Sequence, residues 1–231
     1  AARGALDELR TTIGFGLRMI FFIILPAMLG LILLRHPIVH LVFEHGSFTK
    51  ADTLATATAL LCYAVGLWAF AGVRIIVSAF YSLQDTRTPA VTAGIAVGAN
   101  ILLSLWLMTL LDAAGLALAT ALASMLNGSI LVAVLHRRLG RVDWGSIVWS
   151  AFRVLGACIP VAVMCLWVAN ASLWDQDGAW VVKSAALFGG IGVSVIGYLG
   201  VHIMLGSEEL DVVLGMAKRK LGRVAKKFGA A

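Results

Sequence analysis

Apolar runs of about bilayer length dominate the chain, and charge falls almost wholly between them. Residues 53–73, 89–111, 113–135, 154–174 and 184–206 hold no Asp, Glu, Lys or Arg, and residues 13–34 hold only Arg18. A helix rises 1.5 Å per residue, so roughly 20 apolar residues cross a hydrocarbon core of about 30 Å. Inside lipid a lone segment satisfies its backbone polar groups only as a helix. The pattern predicts an all-α fold: a polytopic transmembrane helix bundle of six spans.

The pieces between the spans sharpen this picture. Span one contains Pro26, which removes a backbone donor and predicts a kink. It is followed by Arg35-His36-Pro37-Ile38-Val39-His40-Leu41, an amphipathic stretch read as an interfacial helix, with a turn at Gly46. Thr88 and Pro89 are expected to cap and open span three. The few residues around Asp112 and Gly115 join spans three and four into an antiparallel hairpin. Residues 170–178 join spans five and six, with Trp174 and Trp180 as interfacial anchors. Residues 1–12 read as a lead-in, 13–144 as a unit of four spans, 145–206 as a two-helix hairpin, and 207–231 as a tail. In the tail Ser207 caps a helix with Glu208, Glu209 and Asp211 in its first turn. Apolar positions such as Leu210, Val213 and Phe228 lie opposite Lys218, Lys220, Arg223 and Lys227, the pattern of an amphipathic helix held on anionic membrane lipids. The charged opening, without an initiator Met, reads as a piece of something longer.

Composition excludes a soluble domain: 61% of residues are hydrophobic against about half in globular proteins, and the mean hydropathy is +0.96. If the spans alternate and the N-terminus is cytoplasmic, 14 of the 18 Lys and Arg fall on the inner side. Arg35, Lys50 and Lys183 then fall outside, and Arg74 lies within a span. That asymmetry orients both termini toward the cytoplasm. The net charge of +6 follows topology, with no basic surface interleaved with aromatics, so no nucleic-acid partner is expected. Cys62, Cys158 and Cys165 all lie in spans and read as free thiols.

Few residues carry chemistry. No Walker loop and no hydrolytic or redox constellation is present, so neither an enzyme nor a cofactor is expected. Arg74 is the costliest residue, about two turns from the inner end of span two. It either snorkels to the headgroups or faces a watery cavity and holds an anionic group through its bidentate guanidinium. Asn100 and Ser104 share a face of span three, and Thr120, Ser124 and Asn127 share one of span four. Such neutral oxygens either bond helix to helix or help to coordinate a small hard cation such as Na⁺. Gly94 and Gly98 form a close-packing motif. His36, His40 and Glu44 share a helical face, for which a surface role outweighs a metal site.

Three spaced motifs add a likeness. They are Phe43-Glu44-His45-Gly46-Ser47-Phe48-Thr49, Ala79-Phe80-Tyr81-Ser82-Leu83-Gln84-Asp85-Thr86-Arg87-Thr88-Pro89, and Ala114-Gly115-Leu116-Ala117-Leu118-Ala119-Thr120. With the span lengths, they resemble the MurJ/MviN lipid II flippases over essentially the whole chain. That resemblance implies the multidrug/oligosaccharidyl-lipid/polysaccharide exporter fold, of which these would be the last six of fourteen spans. Residues 13–144 would be part of the second lobe, and 145–206 two helices bounding a lipid-tail groove. It implies that Arg74 stands where the family carries Lys or Arg. It also implies that Asn100 and Thr120 match side-chain ligands of a Na⁺ site and Leu116 a backbone-carbonyl ligand, with Ser104 standing where an Asp is expected.

The function so implied is that of a transporter in the bacterial cytoplasmic (inner) membrane. It would move the polyprenyl-pyrophosphate-linked peptidoglycan precursor, lipid II, to the outer leaflet by alternating access. The alternatives are a flippase of another polyprenyl-linked glycan and a non-transporting scaffold that recruits cell-wall synthesis proteins.

Overall fold

The computed structural model describes residues 2–44, 46–140, 143–175, 180–207, 209–213 and 215. The amphipathic tail helix around Lys218–Lys227, with Glu208, lies outside them. Among the described residues every regular element is a helix: α1 (Ala2–Leu33), α2 (Arg35–Phe43), α3 (Lys50–Ser82), α4 (Arg87–Leu139), α5 (Trp144–Ala157), α6 (Ile159–Ala169) and α7 (Trp180–Met204), with a 3₁₀ turn at Ser172–Asp175.

α1, α3 and α7 are each long and apolar enough to cross a bilayer. α4, with 53 residues, would be about 80 Å long if straight, more than twice the hydrocarbon thickness. It is two antiparallel limbs. Asp112 sits at φ 49°, ψ −131°, outside helical space. A Cβ on Gly115 would collide with the Leu107 carbonyl, so the second limb folds directly back on the first. At the open end Arg138 Nη1 lies 2.7 Å from Asp85 Oδ2, which joins the start of α4 to its finish. The hairpin predicted from the sequence is therefore present, and with α4 as two limbs and α5–α6 as one broken span the described residues hold six candidate crossings.

Span five departs from expectation. It starts at Trp144, ten residues earlier than the charge-free run, because Arg153 is carried inside α5. It bends by 41° between α5 and α6. Pro160 in the first turn of α6 has no N–H to continue the α5 ladder, and Cys158 closes one helix and opens the next. α1 instead runs through Pro26 as one helix.

α1 is the hub. Its first half packs Ile13 and Leu17 with Ile76 and Phe80 of α3, Leu131 and Leu135 of α4, and Ile147 of α5. Its second half packs Phe22 and Leu25 with Val161 and Cys165 of α6, Tyr198 of α7 and Leu210 beyond it. Lipid tails are as apolar as leucine, so van der Waals fit between small residues must hold the helices. A Cβ on Gly66 would sit 2.6 Å from the Cβ of Ala121, which is how α3 and the second limb of α4 come into backbone proximity.

Two turns carry the quoted motifs. Thr49 and Asp52 form a reciprocal capping box at the start of α3. At the α3–α4 turn Gln84 takes a left-handed φ of 56°; Thr86, not Thr88, holds the N-cap position of α4, and Asp85 supplies the side-chain bonds there. Its carboxylate accepts the Thr88 N–H at 2.9 Å and the Thr88 hydroxyl at 2.6 Å. Those bonds and Arg138 hold the Asp85 carboxyl below its ordinary range.

Candidate functional site

An apolar groove of about 570 Å³ lies between α1, α6 and α7. Pro26, Ala27 and Gly30 make a low wall on α1, facing Val161 and Cys165 of α6 and Ser194 and Tyr198 of α7. α6 and α7 close behind it without a gap, because Gly190 receives Val168 and Gly197 receives Pro160, where a Cβ would lie 3.1 Å from the proline. The few polar groups are turned inward. Tyr198 donates its hydroxyl to the Phe22 carbonyl at 2.7 Å, and Ser194 donates to the Gly190 carbonyl at 2.8 Å. What remains is hydrocarbon surface, which can hold an alkyl or polyprenyl chain and offers little to a sugar or phosphate.

Polar clamps hold both ends of this groove. Near the basic ends of the helices, Glu209 is 2% exposed; it accepts from Ser150 at 3.0 Å and pairs with Arg153 at 3.1 Å. Ser207 Oγ lies 2.9 Å from Nδ1 of the buried His202. The sequence reading gave Ser207 and Glu209 to a helix cap and dipole; the Ser207 carbonyl does accept the Leu210 N–H, while its hydroxyl ties back to α7 and Glu209 fastens the segment after α7 to α5. Burial alone would raise the Glu209 carboxyl, but its own backbone N–H, the Ser150 hydroxyl and the Arg153 and Arg18 charges outweigh that and hold it below the ordinary range.

At the far end, His40 of α2 is the centre. Its Nδ1 lies 2.8 Å from Glu44 Oε2, Thr53 of α3 donates to the same oxygen at 2.7 Å, and Lys183 Nζ lies 2.9 Å from His40 Nε2. The two ring nitrogens of His40 thus bridge Glu44 and Lys183. Lys183 had been expected in an outer loop; it lies in the first turn of α7 and is 5% exposed. Trp174, expected as an interfacial anchor, donates to the Val168 carbonyl at 2.7 Å and meets the His40 ring edge-on. Desolvation would raise the Glu44 carboxyl, but the Thr53 and His40 hydrogen bonds, with the His40 and Lys50 charges, hold it below its usual range. Burial and neighbouring Arg35 lower His36. With both His40 nitrogens engaged, the face of His36, His40 and Glu44 makes no metal cluster, and no group of three or more His, Cys, Asp or Glu that could hold a metal occurs among the described residues.

The other sequence candidates lie elsewhere. Arg74 is exposed on α3, a face it shares at helical spacing with Thr56, Tyr63, Ser78 and Tyr81. Its carbonyl accepts the Ser78 hydroxyl at 2.9 Å. On α4, Ser104 donates to Asn100 Oδ1 at 3.4 Å on the first limb, and Thr120 donates to the Leu116 carbonyl at 2.9 Å on the second. No hydrogen bond among the described residues joins the two pairs. Asn127 Oδ1 is buried without a partner. The clamps were missed from sequence because Glu209–Arg153 and Lys183–His40 are separated by 56 and 143 positions.

Comparison with known proteins gives one consistent picture. Residues 1–188 match the family model described as "Lipid II flippase MurJ". A "Probable lipid II flippase MurJ" of Vibrio cholerae serotype O1 is 32% identical over 213 residues, covering 89% of this chain and 39% of that protein. One from Rhizobium meliloti is 31% identical over 221 residues, 94% of this chain and 41% of the other. The chain thus spans about two-fifths of the length of these relatives. The solved structure "Lipid II flippase MurJ, inward closed conformation" superposes with a TM-score of 0.65 over 87% of this chain and 41% of that one, at 23% identity, a likeness of fold.

Proposed function

Since this chain belongs to the lipid II flippase MurJ family, we propose that it forms the tail-holding part of a flippase for the lipid-linked peptidoglycan precursor. The observation that carries this is the groove between α1, α6 and α7: an apolar wall whose polar groups are all turned inward and whose ends are clamped. A polyprenyl tail lies along it while the pyrophosphate and sugars pass through a cavity beside α3 and α4, in which Arg74 holds phosphate oxygens. The basic end, with Arg10, Arg87, Arg137 and Arg138, faces the cytoplasm. Residues 13–144 work as part of the second lobe and 145–206 as the groove hairpin. A Na⁺ ion at Asn100, Ser104, Leu116 and Thr120 would have to displace the hydrogen bonds those groups make within each limb. Transport breaks no bond; alternating access needs only that the substrate bind two conformations unequally.

The test is transport of labelled lipid II by the intact protein in vesicles. Gly30→Phe fills the groove at a position where a Cβ meets nothing within 4 Å. It should abolish transport while leaving insertion and monodispersity unchanged, and Arg74→Ala should do the same from the cavity side. Transport at the parental rate by Gly30→Phe would end the groove reading.

A further inference from the structure

A second apolar groove, also of about 570 Å³, shares no lining residue with the first. Phe21 of α1, Trp68 and Gly72 of α3, Gly128 and Val132 of α4 and Ile147 of α5 enclose it. On α4 its lining runs from Met125 to His136, about 16 Å of helix. That is half a hydrocarbon core, the length of one leaflet. It lies wholly in the half of the bundle nearer the basic end. Two glycines keep it open: a Cβ on Gly72 would meet nothing within 4 Å, and one on Gly128 would meet only Val73 Cγ2, at 3.3 Å.

The mouth is built differently from the wall. Trp144 Nε1–H donates to His136 Nδ1 at 3.1 Å, so the imidazole presents its Nε2 as a donor at headgroup level. The next residue, Arg137, is exposed, whereas Arg138 is engaged by Asp85. An apolar slot one leaflet long, ending in an aromatic, a histidine donor and an arginine, complements a lipid with a single negative phosphate.

We propose that this groove holds one acyl chain of an anionic phospholipid from the leaflet at the basic end, its phosphate on His136 and Arg137. Such a lipid is not cargo. The cargo groove runs past α7 on the other flank of α1, whereas this one joins α1, α3, α4 and α5. A bound lipid here fills the space between the α3–α4 pair and α5, so it stabilises one relative placement of the two.

Native mass spectrometry of the intact protein, extracted from vesicles of equal phosphatidylglycerol and phosphatidylcholine, tests this. One phosphatidylglycerol should survive per chain. Gly72→Leu should remove it, and Ser129→Phe, on the same wall, serves as a second filler if the first fails to fold. Arg137→Ala should keep the lipid but lower the preference for phosphatidylglycerol about fivefold. Retention of both lipids alike by the parent protein would overturn the proposal, as would unchanged retention in a folded filler variant. Disulfide trapping between a cysteine placed at Ser129 and a helix from elsewhere in the protein or from a second copy would also overturn it.

Discussion

Two breaks in the long apolar helices, at Asp112 and at Cys158, are built on opposite principles. At Asp112 the reversal between the α4 limbs is locked on both sides: Gly115 touches the Leu107 backbone, and the far ends are joined by Asp85 and Arg138. At Cys158, where α5 and α6 bend by 41°, no such ion pair or backbone contact within the bend itself occurs among the described residues. Around it lie contacts from other elements: Gly197 of α7 beside Pro160, Glu209 on Ser150 and Arg153 of α5, and Trp174, which bonds Val168 of α6 and meets the His40 ring. The first is a rigid hairpin. The second is a joint whose angle is set from outside, and it is the one that borders the apolar groove between α1, α6 and α7.

Breaking the rigid member should cost most. Gly115→Val drives a branched side chain into the Leu107 carbonyl, and no side-chain rotation relieves a backbone clash. We expect a loss of 3 kcal/mol or more, seen as failure to recover folded protein in steric-trapping unfolding. Glu209→Gln comes next. It leaves Arg153 partly buried beside a neutral amide and should cost about 2 kcal/mol. The same variant should loosen the joint, so cysteines placed on α5 and α6 should show a broader distance distribution. A matching loss in a variant of exposed Asp211 would refute a specific clamp.

Acid should act on the joint before the hairpin core. The Glu209 carboxyl is held below its ordinary range, so its contribution is present above about pH 4, the unfolded value, and is lost as pH falls through the lower folded value. Glu44 behaves alike at the other end. Corrected for the intrinsic pH dependence of exchange, the protection of 209–213 should therefore fall on acidification in the parent protein and show no such fall in Glu209→Gln. The smallest effect is expected for Asp85→Asn, which weakens capping bonds and an ion pair whose arginine is half exposed, seen as a smaller shift of the chemical-unfolding midpoint than that of Glu209→Gln.

Legibility in the sequence followed the same division. The reversal was readable because what makes it is local, a charged residue and a glycine between two apolar runs; the Asp85–Arg138 tie at its open end joins residues far apart in the chain and was not. The broken span was not. Arg153 suggested the span started after it, whereas burial of Glu209 pays for carrying that charge inside α5. Pro160 and Pro26 look alike in the sequence, yet only Pro160 ends a helix, because Gly197 on α7 gives it room to pack. The tail groove needs three elements far apart in the chain, so the family likeness pointed to it and composition did not. Arg74 and the oxygens of α4 were easy to single out as costly or aligned, but their surroundings depend on neighbours that no local pattern encodes.

The most direct test of the account is where a lipid-linked substrate puts its tail. A photoreactive polyprenyl diphosphate glycan added to the intact protein should label Ile191, Val195 and Leu31 of the groove, and Gly30→Phe should remove that labelling. Labelling spread equally to Trp149 and Phe152, which are exposed on α5 and line neither groove, would contradict it.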